Sequence, residues 1–294
     1  MITGCYIPPA KDNIPKFGRF CPYNNSIKML PTEEGDVLAD ATEFRSITGA
    51  LHYAAHCTRP DVAQAVAELS KHLVQPNATH MQQARKTLAF LLASKDIGLT
   101  YTRMPHKGPI DLKVPIKKGI ITGFADASFA EDVVTRRSHT GYVFLLNGAA
   151  IAWCSRCQDR VANSTAEAEF RSYNSAGRDA LFLRKLDYDY LNTTQQSKAQ
   201  APTMIWDDNQ TTIKWLRNYG HHAKTKHIDT AVLSIREHVI EFKALDVDFI
   251  ETRSQVADVL TKALTPQHHW DLSRFMLGKQ VPSRFWQKRP SAET

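Results

Sequence analysis

The stretch Gly123-Phe124-Ala125-Asp126-Ala127-Ser128-Phe129-Ala130 decides how the rest of the chain is interpreted. The residues at 120–125 alternate with apolar side chains on both faces, which is typical of an inner strand of a sheet. Asp126 ends this strand, although buried carboxylates are rare unless they are paired or bind a metal ion. Taken alone, the stretch fits a turn-forming Asp126 as well as a functional one.

The composition is that of a globular protein with a mildly basic surface. The chain has 294 residues, 43% of them hydrophobic, with a formal net charge of +7 and a pI of about 9.1. This charge fits a polyanionic partner without requiring one. No apolar run approaches the ~20 residues of a membrane span. Five cysteines, an odd number, favour a reducing compartment, so we expect a cytoplasmic or nuclear protein with no membrane association.

Prolines and changes of periodicity divide the chain into five parts. Three apolar stripes at helical spacing predict the helical part, and alternation at 97–101 predicts a short strand that closes it. We expect the α/β domain to keep its fold when residues 1–105 are removed. The predicted parts are an extended lead-in at 1–40, a helical unit at 41–103, a linker at 104–118, an α/β domain at 119–275 and a basic tail at 276–294.

The α/β domain is predicted to contain five strands. Asn147-Gly148 is a strong hairpin turn, so the first three strands should form an antiparallel meander. Ser164 and Glu167 have the spacing of a capping box at the start of a long helix. Ser254 is predicted to cap a last helix. The first predicted strand ends at Asp126, and the fifth is an exposed edge strand at 245–250. The second, third and fourth are predicted at 141–146, 149–154 and 203–206.

Four carboxylates stand at corresponding points of this pattern. Asp126 and Asp208 end strands, whereas Glu169 and Asp258 lie in the first turns of helices. Such ends converge on one crevice in an open α/β sheet. Carboxylates brought together in this way need cations, and all-oxygen ligands select Mg²⁺ or Mn²⁺. Two such ions, roughly 3.5–4 Å apart, can clamp a phosphodiester and activate water. We choose Glu169 over Glu167 because Glu169 heads the helix face that should pack on the sheet, whereas Glu167 has a capping role.

Several motifs in the same order resemble the ribonuclease H domain of Ty1/copia-type retrotransposon polyproteins. The helical unit is similar to the thumb and connection region of the same family's reverse transcriptase through Thr58-Arg59-Pro60-Asp61. The polymerase palm is missing, because no Y-x-D-D motif precedes this unit and Trp206-Asp207-Asp208 belongs to a ribonuclease motif. The segments that carry the resemblance are 44–51, 58–63, 124–128, 136–144, 164–170, 208–210, 224–229 and 257–262.

The resemblance implies a ribonuclease H-like fold, with a five-stranded mixed sheet and flanking helices preceded by a small helical unit. It also implies metal-dependent endonucleolytic hydrolysis of the RNA strand of an RNA–DNA hybrid, leaving a 3′-hydroxyl and a 5′-phosphate. The implied metal ligands, for two Mg²⁺ or Mn²⁺ ions, are Asp126, Glu169, Asp208 and Asp258.

Six further residues are candidates for contact with the hybrid, each with a structural alternative. Asn209 and Gln210 could contact the ribose 2′-hydroxyl, or they could simply cap a helix. Lys224 and Lys226 could hold phosphates, or they could lie in a solvated loop. Arg136 and Arg137 could also hold phosphates, or they could form ion pairs within a turn.

Three functions remain open from the sequence. The first is an active ribonuclease H fragment, without reverse transcriptase activity of its own, that could work with the remainder of a retroelement polymerase. The second is a catalytically silent relic or host-adopted nucleic-acid-binding module. The third, a transposase or integrase of the same fold, is disfavoured by the motifs at 224–229 and 257–262. All four acids are present, which favours the first.

Overall fold

The described part of the chain covers most of the predicted domains. Lys224, Lys226, most of the predicted basic tail and much of the predicted lead-in and linker lie outside it. The computed structural model describes residues 21–23, 29–102, 112, 114, 116, 119–192, 201–218 and 230–278.

A five-stranded mixed sheet with the order β3-β2-β1-β4-β5 organises the molecule. The strands β1 to β3 form an antiparallel meander, while β4 is parallel to β1 and β5 is parallel to β4. The predicted α/β fold class with a five-stranded mixed sheet is therefore confirmed, as is the edge position of the fifth strand. The strands are β1 Thr122–Ser128, β2 His139–Leu146, β3 Ala149–Cys157, β4 Thr203–Asp207 and β5 Leu245–Phe249.

Eight α-helices are described around this sheet. Polar side chains begin several of them: Asp40 accepts hydrogen bonds from the first turn of α1, and Thr265 does the same for α8, which starts with Pro266. The helices are α1 Ala41–Cys57, α2 Ala63–Ser70, α3 Ala78–Ala93, α4 Thr165–Asn192, α5 Gln210–Arg217, α6 Thr230–Ile240, α7 Asp258–Thr261 and α8 Pro266–Leu277.

Both faces of the sheet are covered, which explains the apolar alternation of β1. Ala125 packs in a cluster with side chains of α4, α5 and α6 on one face. Phe124 packs in a second cluster with side chains of α7, α8 and the helices α1 to α3 on the other face. Because successive strand residues point to opposite faces, a strand that is buried on both is apolar over most of its length, and Asp126 is the buried exception in β1.

The helical unit shares the second cluster with the sheet. Phe44 and Phe90 of the helical unit belong to the same group of buried side chains as Val143 of β2. Polar contacts join the two parts as well: the Trp153 indole in β3 donates to the carbonyl of Ala55, 2.8 Å away. The predicted linker at 104–118 therefore connects two parts of one hydrophobic core.

Two predicted features of the local structure are wrong, and one helix was not predicted. The segment 97–101 forms no strand, since the Thr100 amide donates to Leu277 at the end of α8. Ser254 lies in a 3₁₀ turn and caps no helix; α7 begins only at Asp258. The helix α8 itself was not predicted.

Candidate active site

Parallel pairing of β1 and β4 brings two carboxylates to the same end of the sheet. The register pairs Phe124 with Trp206, so two residues further on Asp126 and Asp208 are neighbours. Glu169 lies just past the first turn of α4, one residue later than the sequence suggested. The helix is attached to β1 by the Ser172 hydroxyl, which donates to the Asp126 carbonyl at 2.7 Å. Carboxylate oxygens of Asp126, Glu169 and Asp208 all lie within 4.8 Å of one another.

This three-carboxylate group has strong electrostatic reasons to bind a cation. Glu169 is only 4% exposed, and its Oε2 has no hydrogen-bond partner in the described part of the chain. Burial, and then the charges of Asp126, Asp207 and Asp208, raise the pKa of Glu169 well above its ordinary value. Burial and Asp126 also raise the pKa of Asp208. The group therefore fits a hard divalent cation, which would give these carboxylates a positive partner and reduce their repulsion.

The fourth predicted ligand, Asp258, is placed differently. It is the first residue of α7, and its Oδ1 lies 2.8 Å from the Lys262 ammonium, which is also 3.2 Å from Oδ1 of Asp126. Asp258 is therefore linked to Asp126 through a lysine and is not part of the three-carboxylate group. The Thr261 hydroxyl donates to the other Asp126 oxygen, so α7 fixes that carboxylate on both sides.

The charges around Lys262 shift one another's pKa values. Burial, and then the Asp126 charge, raise the pKa of Asp258 to about 8. Burial opposes the charge of Lys262, but Asp126 and Asp258 raise its pKa above the ordinary value, so the ammonium form persists. Sequence reasoning assigned no role to Lys262, although its spacing of four residues from Asp258 on a helix is a signal for an ion pair.

Asp207 is a second residue that sequence reasoning did not assign. It is fully buried at the end of β4, where its Oδ1 accepts from the Asn209 amide at 2.7 Å. Its Oδ2 has no partner in the described part of the chain, and burial followed by Asp208 raises its pKa well above the ordinary value. The alternation of β4 puts Asp207 on the same face of the sheet as Ile205, toward α4. There its charge acts on Glu169.

Glu167 has a structural role at the start of α4, although it bonds the residue before the cap and not Ser164 itself, as a capping box would require. Its carboxylate accepts from the backbone amide of Asn163 at 2.9 Å and pairs with Arg171 at 2.6 Å. Burial opposes ionisation, but these partners lower the pKa of Glu167. The Glu167 amide in turn donates to the Ser164 hydroxyl, so Ser164 caps α4 as predicted.

Of the candidate hybrid-binding residues, Asn209 and Gln210 lie at the start of α5. The side chain of Asn209 caps α5 by accepting from the amides of Thr211 and Thr212 at 2.9 and 3.2 Å. This is the structural alternative for Asn209, and it leaves the amide NH₂ of the side chain for other contacts. Gln210 is exposed at the first turn of the same helix.

Arg136 and Arg137 are exposed on the loop that follows β1, at the same end of the sheet as the carboxylates. Asp132 folds this loop by accepting from the amide and hydroxyl of Thr135 at 2.7 and 2.9 Å. The same carboxylate pairs with Lys71, directly after α2, at 3.0 Å. The loop that carries Arg136 and Arg137 is therefore connected to the helical unit by an ion pair.

Curated relatives of the chain are polyproteins of mobile elements. The Retrovirus-related Pol polyprotein from transposon TNT 1-94 of Nicotiana tabacum is 33% identical over 256 residues, which are 86% of this chain and 18% of the polyprotein. The corresponding polyprotein from transposon RE2 of Arabidopsis thaliana is 30% identical over 256 residues, 86% of this chain and 16% of that protein. This chain belongs to the Ty1/copia-type Pol polyprotein family. It spans less than a fifth of the length of these two relatives.

Other comparisons give shorter or weaker matches. The Secreted RxLR effector protein 161 of Plasmopara viticola is 36% identical over 140 residues, 48% of this chain and 90% of that protein. No protein-family model matches the chain. In the part of the copia-type chain that the structure describes, no helix has both the length and the apolar character needed to cross a bilayer.

The similar solved structures are ribonuclease H domains. LC11-RNase H1 isolated from compost covers 49% of this chain and 93% of its own, with 13% identity and a TM-score of 0.37. An N-terminal RNase H domain from Mycobacterium tuberculosis, solved as a fusion with maltose-binding protein, covers 49% of this chain and 91% of its own, with 12% identity and a TM-score of 0.32. At these scores the fold assignment depends on the strand order and register described above.

Proposed function

We propose that this copia-type chain is a ribonuclease H that hydrolyses the RNA strand of an RNA–DNA hybrid. One observation carries the proposal: Asp126 of β1, Asp208 directly after β4 and Glu169 of α4 each place one carboxylate oxygen within 4.8 Å of the other two. Such a buried anionic group is costly unless it serves a cation and a polyanionic substrate.

Asp126, Glu169 and Asp208 would hold a divalent ion, and Asp258 completes the proposed set of four catalytic carboxylates. When bound, Mg²⁺ or Mn²⁺ supplies an activated water and stabilises the charge that develops on the phosphate oxygens. The chain's own contribution is orientation: Thr261 and Lys262 fix the Asp126 carboxylate, and the packing of α4 fixes Glu169. Asp208 is the most exposed of the three, and it would face the scissile phosphate.

The proposed substrate is an RNA–DNA hybrid, which matches the basic composition of the chain. The exposed Arg136 and Arg137 would contact phosphates beside the carboxylates, and the amides of Asn209 and Gln210 would contact a 2′-hydroxyl. Lys224 and Lys226 complete the proposed contacts. The remainder of a retroelement polymerase is the proposed protein partner. The four described cysteines are free thiols, which supports the proposed cytoplasmic or nuclear location.

Two glutamates of α4 provide a matched test. The purified chain with Mg²⁺ is expected to cut the RNA strand of a labelled hybrid, leaving a 3′-hydroxyl and a 5′-phosphate. Glu169→Gln and Asp126→Asn should each abolish the cutting, because each removes a carboxylate of the three-carboxylate group. Glu167→Gln changes the same residue type two positions away and should retain most of the activity. Equal losses in Glu167→Gln and Glu169→Gln, with both variants folded, would contradict the proposal.

A silent nucleic-acid-binding module is the second candidate function. The observation that favours it is the Lys262 ammonium, which pairs with Asp126 and Asp258 and so neutralises part of the acidic cluster without a metal ion. Wild-type protein that binds the hybrid but leaves it intact in both Mg²⁺ and Mn²⁺ would establish this candidate.

A further inference from the structure

Lys262 lies between two of the four proposed catalytic carboxylates. Its Nζ lies between Asp126 and Asp258, at 3.2 and 2.8 Å from their Oδ1 atoms. The side chains of the two aspartates are 1% and 5% exposed, whereas that of Lys262 is 35% exposed. A surface ion pair four residues apart on a helix contributes little to stability, but here both anionic partners are buried and need a counter-charge.

The fold holds this ammonium in place. Lys262 directly follows the short helix α7, which begins with Asp258 and also carries the Thr261 hydroxyl onto Asp126. The Lys262 amide donates to the Asp258 carbonyl, which closes the last turn and sets the direction of the lysine side chain. The lysine position is therefore set by the same turn that positions Asp258.

The two halves of the cluster differ in how their charge is satisfied. Asp258 and one oxygen of Asp126 already have a cationic partner in Lys262. The three-carboxylate group formed by Asp126, Glu169 and Asp208 retains a buried oxygen without a hydrogen-bond partner in the described part of the chain, Oε2 of Glu169. A divalent ion at the three-carboxylate group would satisfy this oxygen, whereas one between Asp126 and Asp258 would have to displace Lys262.

We propose that Lys262 takes the place of a second divalent ion, so that this chain binds one ion, at the three-carboxylate group. Lys262 then acts as a positioning residue that holds Asp126 for that ion while it neutralises Asp258. This inference rests on the proposed function for the identity of the site, and it replaces the two-ion arrangement that the sequence suggested.

Isothermal titration calorimetry tests the inference. The metal-free full chain is titrated with Mn²⁺ alone, without any hybrid, and the number of bound ions is measured. Wild-type protein should bind one Mn²⁺ per chain. Lys262→Met keeps an unbranched side chain of similar length but removes the charge, so it should bind two. Lys71→Met is the matched control, because Lys71 is also half-buried between two carboxylates, Glu68 and Asp132, and its loss should leave the count at one.

Two ions bound by folded wild-type protein, or one ion bound by folded Lys262→Met, would overturn the inference. If Lys262→Met does not fold, Asp258→Asn decides: one ion supports the inference, because Asp258 is then no ligand, and a loss of binding overturns it. The inference and the proposed function fail separately. If wild-type protein binds two ions and cuts the hybrid, only the inference is contradicted. If it binds no Mn²⁺ and cuts no hybrid, both the inference and the proposed function are contradicted.

Discussion

His139, at the start of β2, is a buried histidine in the contact between the sheet and α7. Its ring is 3% exposed and its Nε2 lies 2.9 Å from the Ser155 hydroxyl. Ser155 in turn donates to the Leu260 carbonyl at 2.7 Å, so the imidazole is part of the attachment of α7 to the sheet. Burial, and then the charge of Lys71, lower the pKa of His139 to about 3. The neutral ring is therefore the form that the fold accommodates.

Acidification below pH 6.5 is expected to destabilise the protein through this residue. Between about pH 6.5, the ordinary pKa of histidine, and pH 3, the unfolded chain binds a proton that the folded chain does not. The stabilisation is complete above this window and declines through it, by about 2 kcal/mol between pH 6.5 and 5. Urea unfolding at a series of pH values should show a shallower decline for His139→Gln than for wild type. Parallel slopes would exclude His139 as the cause.

At the residue scale, the sequence identified carboxylates more readily than their partners. Asp126, Glu169 and Asp208 were predicted, and the structure brings them together, because a carboxylate at the end of an apolar strand is visible in a pattern. The roles of Asp207 and Lys262 depend on which face a strand end presents and on a distance across the crevice. Neither property follows from spacing along the chain.

Close packing of α7 against β2 controls the site at the scale of whole elements. A Cβ atom added to Gly141 would lie 2.9 Å from Cβ of Leu260 and nearer still to the Thr261 methyl group. Only a glycine lets the helix approach the strand backbone this closely. This approach sets the positions of Thr261 and Lys262 relative to Asp126.

Gly141→Ala is expected to push α7 away from the sheet. The overpacking should lower the free energy of unfolding by about 1–3 kcal/mol, and it should weaken Mn²⁺ binding because Asp126 loses its two fixed partners. Gly49→Ala is the control, since a Cβ there meets nothing within 4 Å and Gly49 lies within α1. That change should stabilise the chain by about 0.4–1 kcal/mol. Thermal unfolding and calorimetry measure both effects; unchanged metal binding in Gly141→Ala would disprove the positioning role of α7.

Local signals mark most helices and strands of this chain, whereas a long-range contact sets the chain's path after Ser254. The helix α8 was not predicted, although Thr265 precedes Pro266 at its start and Gly278 stands in the left-handed region at its end. Ser254 was expected to start a helix, but the Gln255 side chain donates to the Ala125 carbonyl at 2.9 Å. The backbone of Gln255 itself is extended, which separates the 3₁₀ turn from α7, and no local pattern reveals this long-range contact.

At the scale of the whole molecule, the helical unit completes the core of the sheet. Trp270 of α8 is almost fully buried, and its ring centroid lies 5.2 Å from that of Phe90 in α3. Arg59 is buried nearby, where it pairs with Asp61 at 2.7 Å and donates to the Ser94 hydroxyl at 2.9 Å. The prolines and lysines at 104–118 suggested a boundary between separate units, but composition does not reveal whether two units share a core.

Removal of residues 1–105 is therefore expected to unfold the ribonuclease H-like part, contrary to what the sequence suggested. The truncation would expose Trp270 and one face of the sheet to water, at a cost of about 25 cal/mol for each Å² of apolar surface. We expect the truncated chain to bind a hydrophobic dye and to lose its cooperative thermal transition. The control keeps the same cut but supplies both pieces: residues 1–105 and 106–294, produced together, should associate and recover the transition. A truncated chain could instead unfold cooperatively at the wild-type temperature. That result would show that the sheet and helices α4 to α8 are stable without the helical unit. The buried contact between Phe90 and Trp270 would then contribute little to the fold.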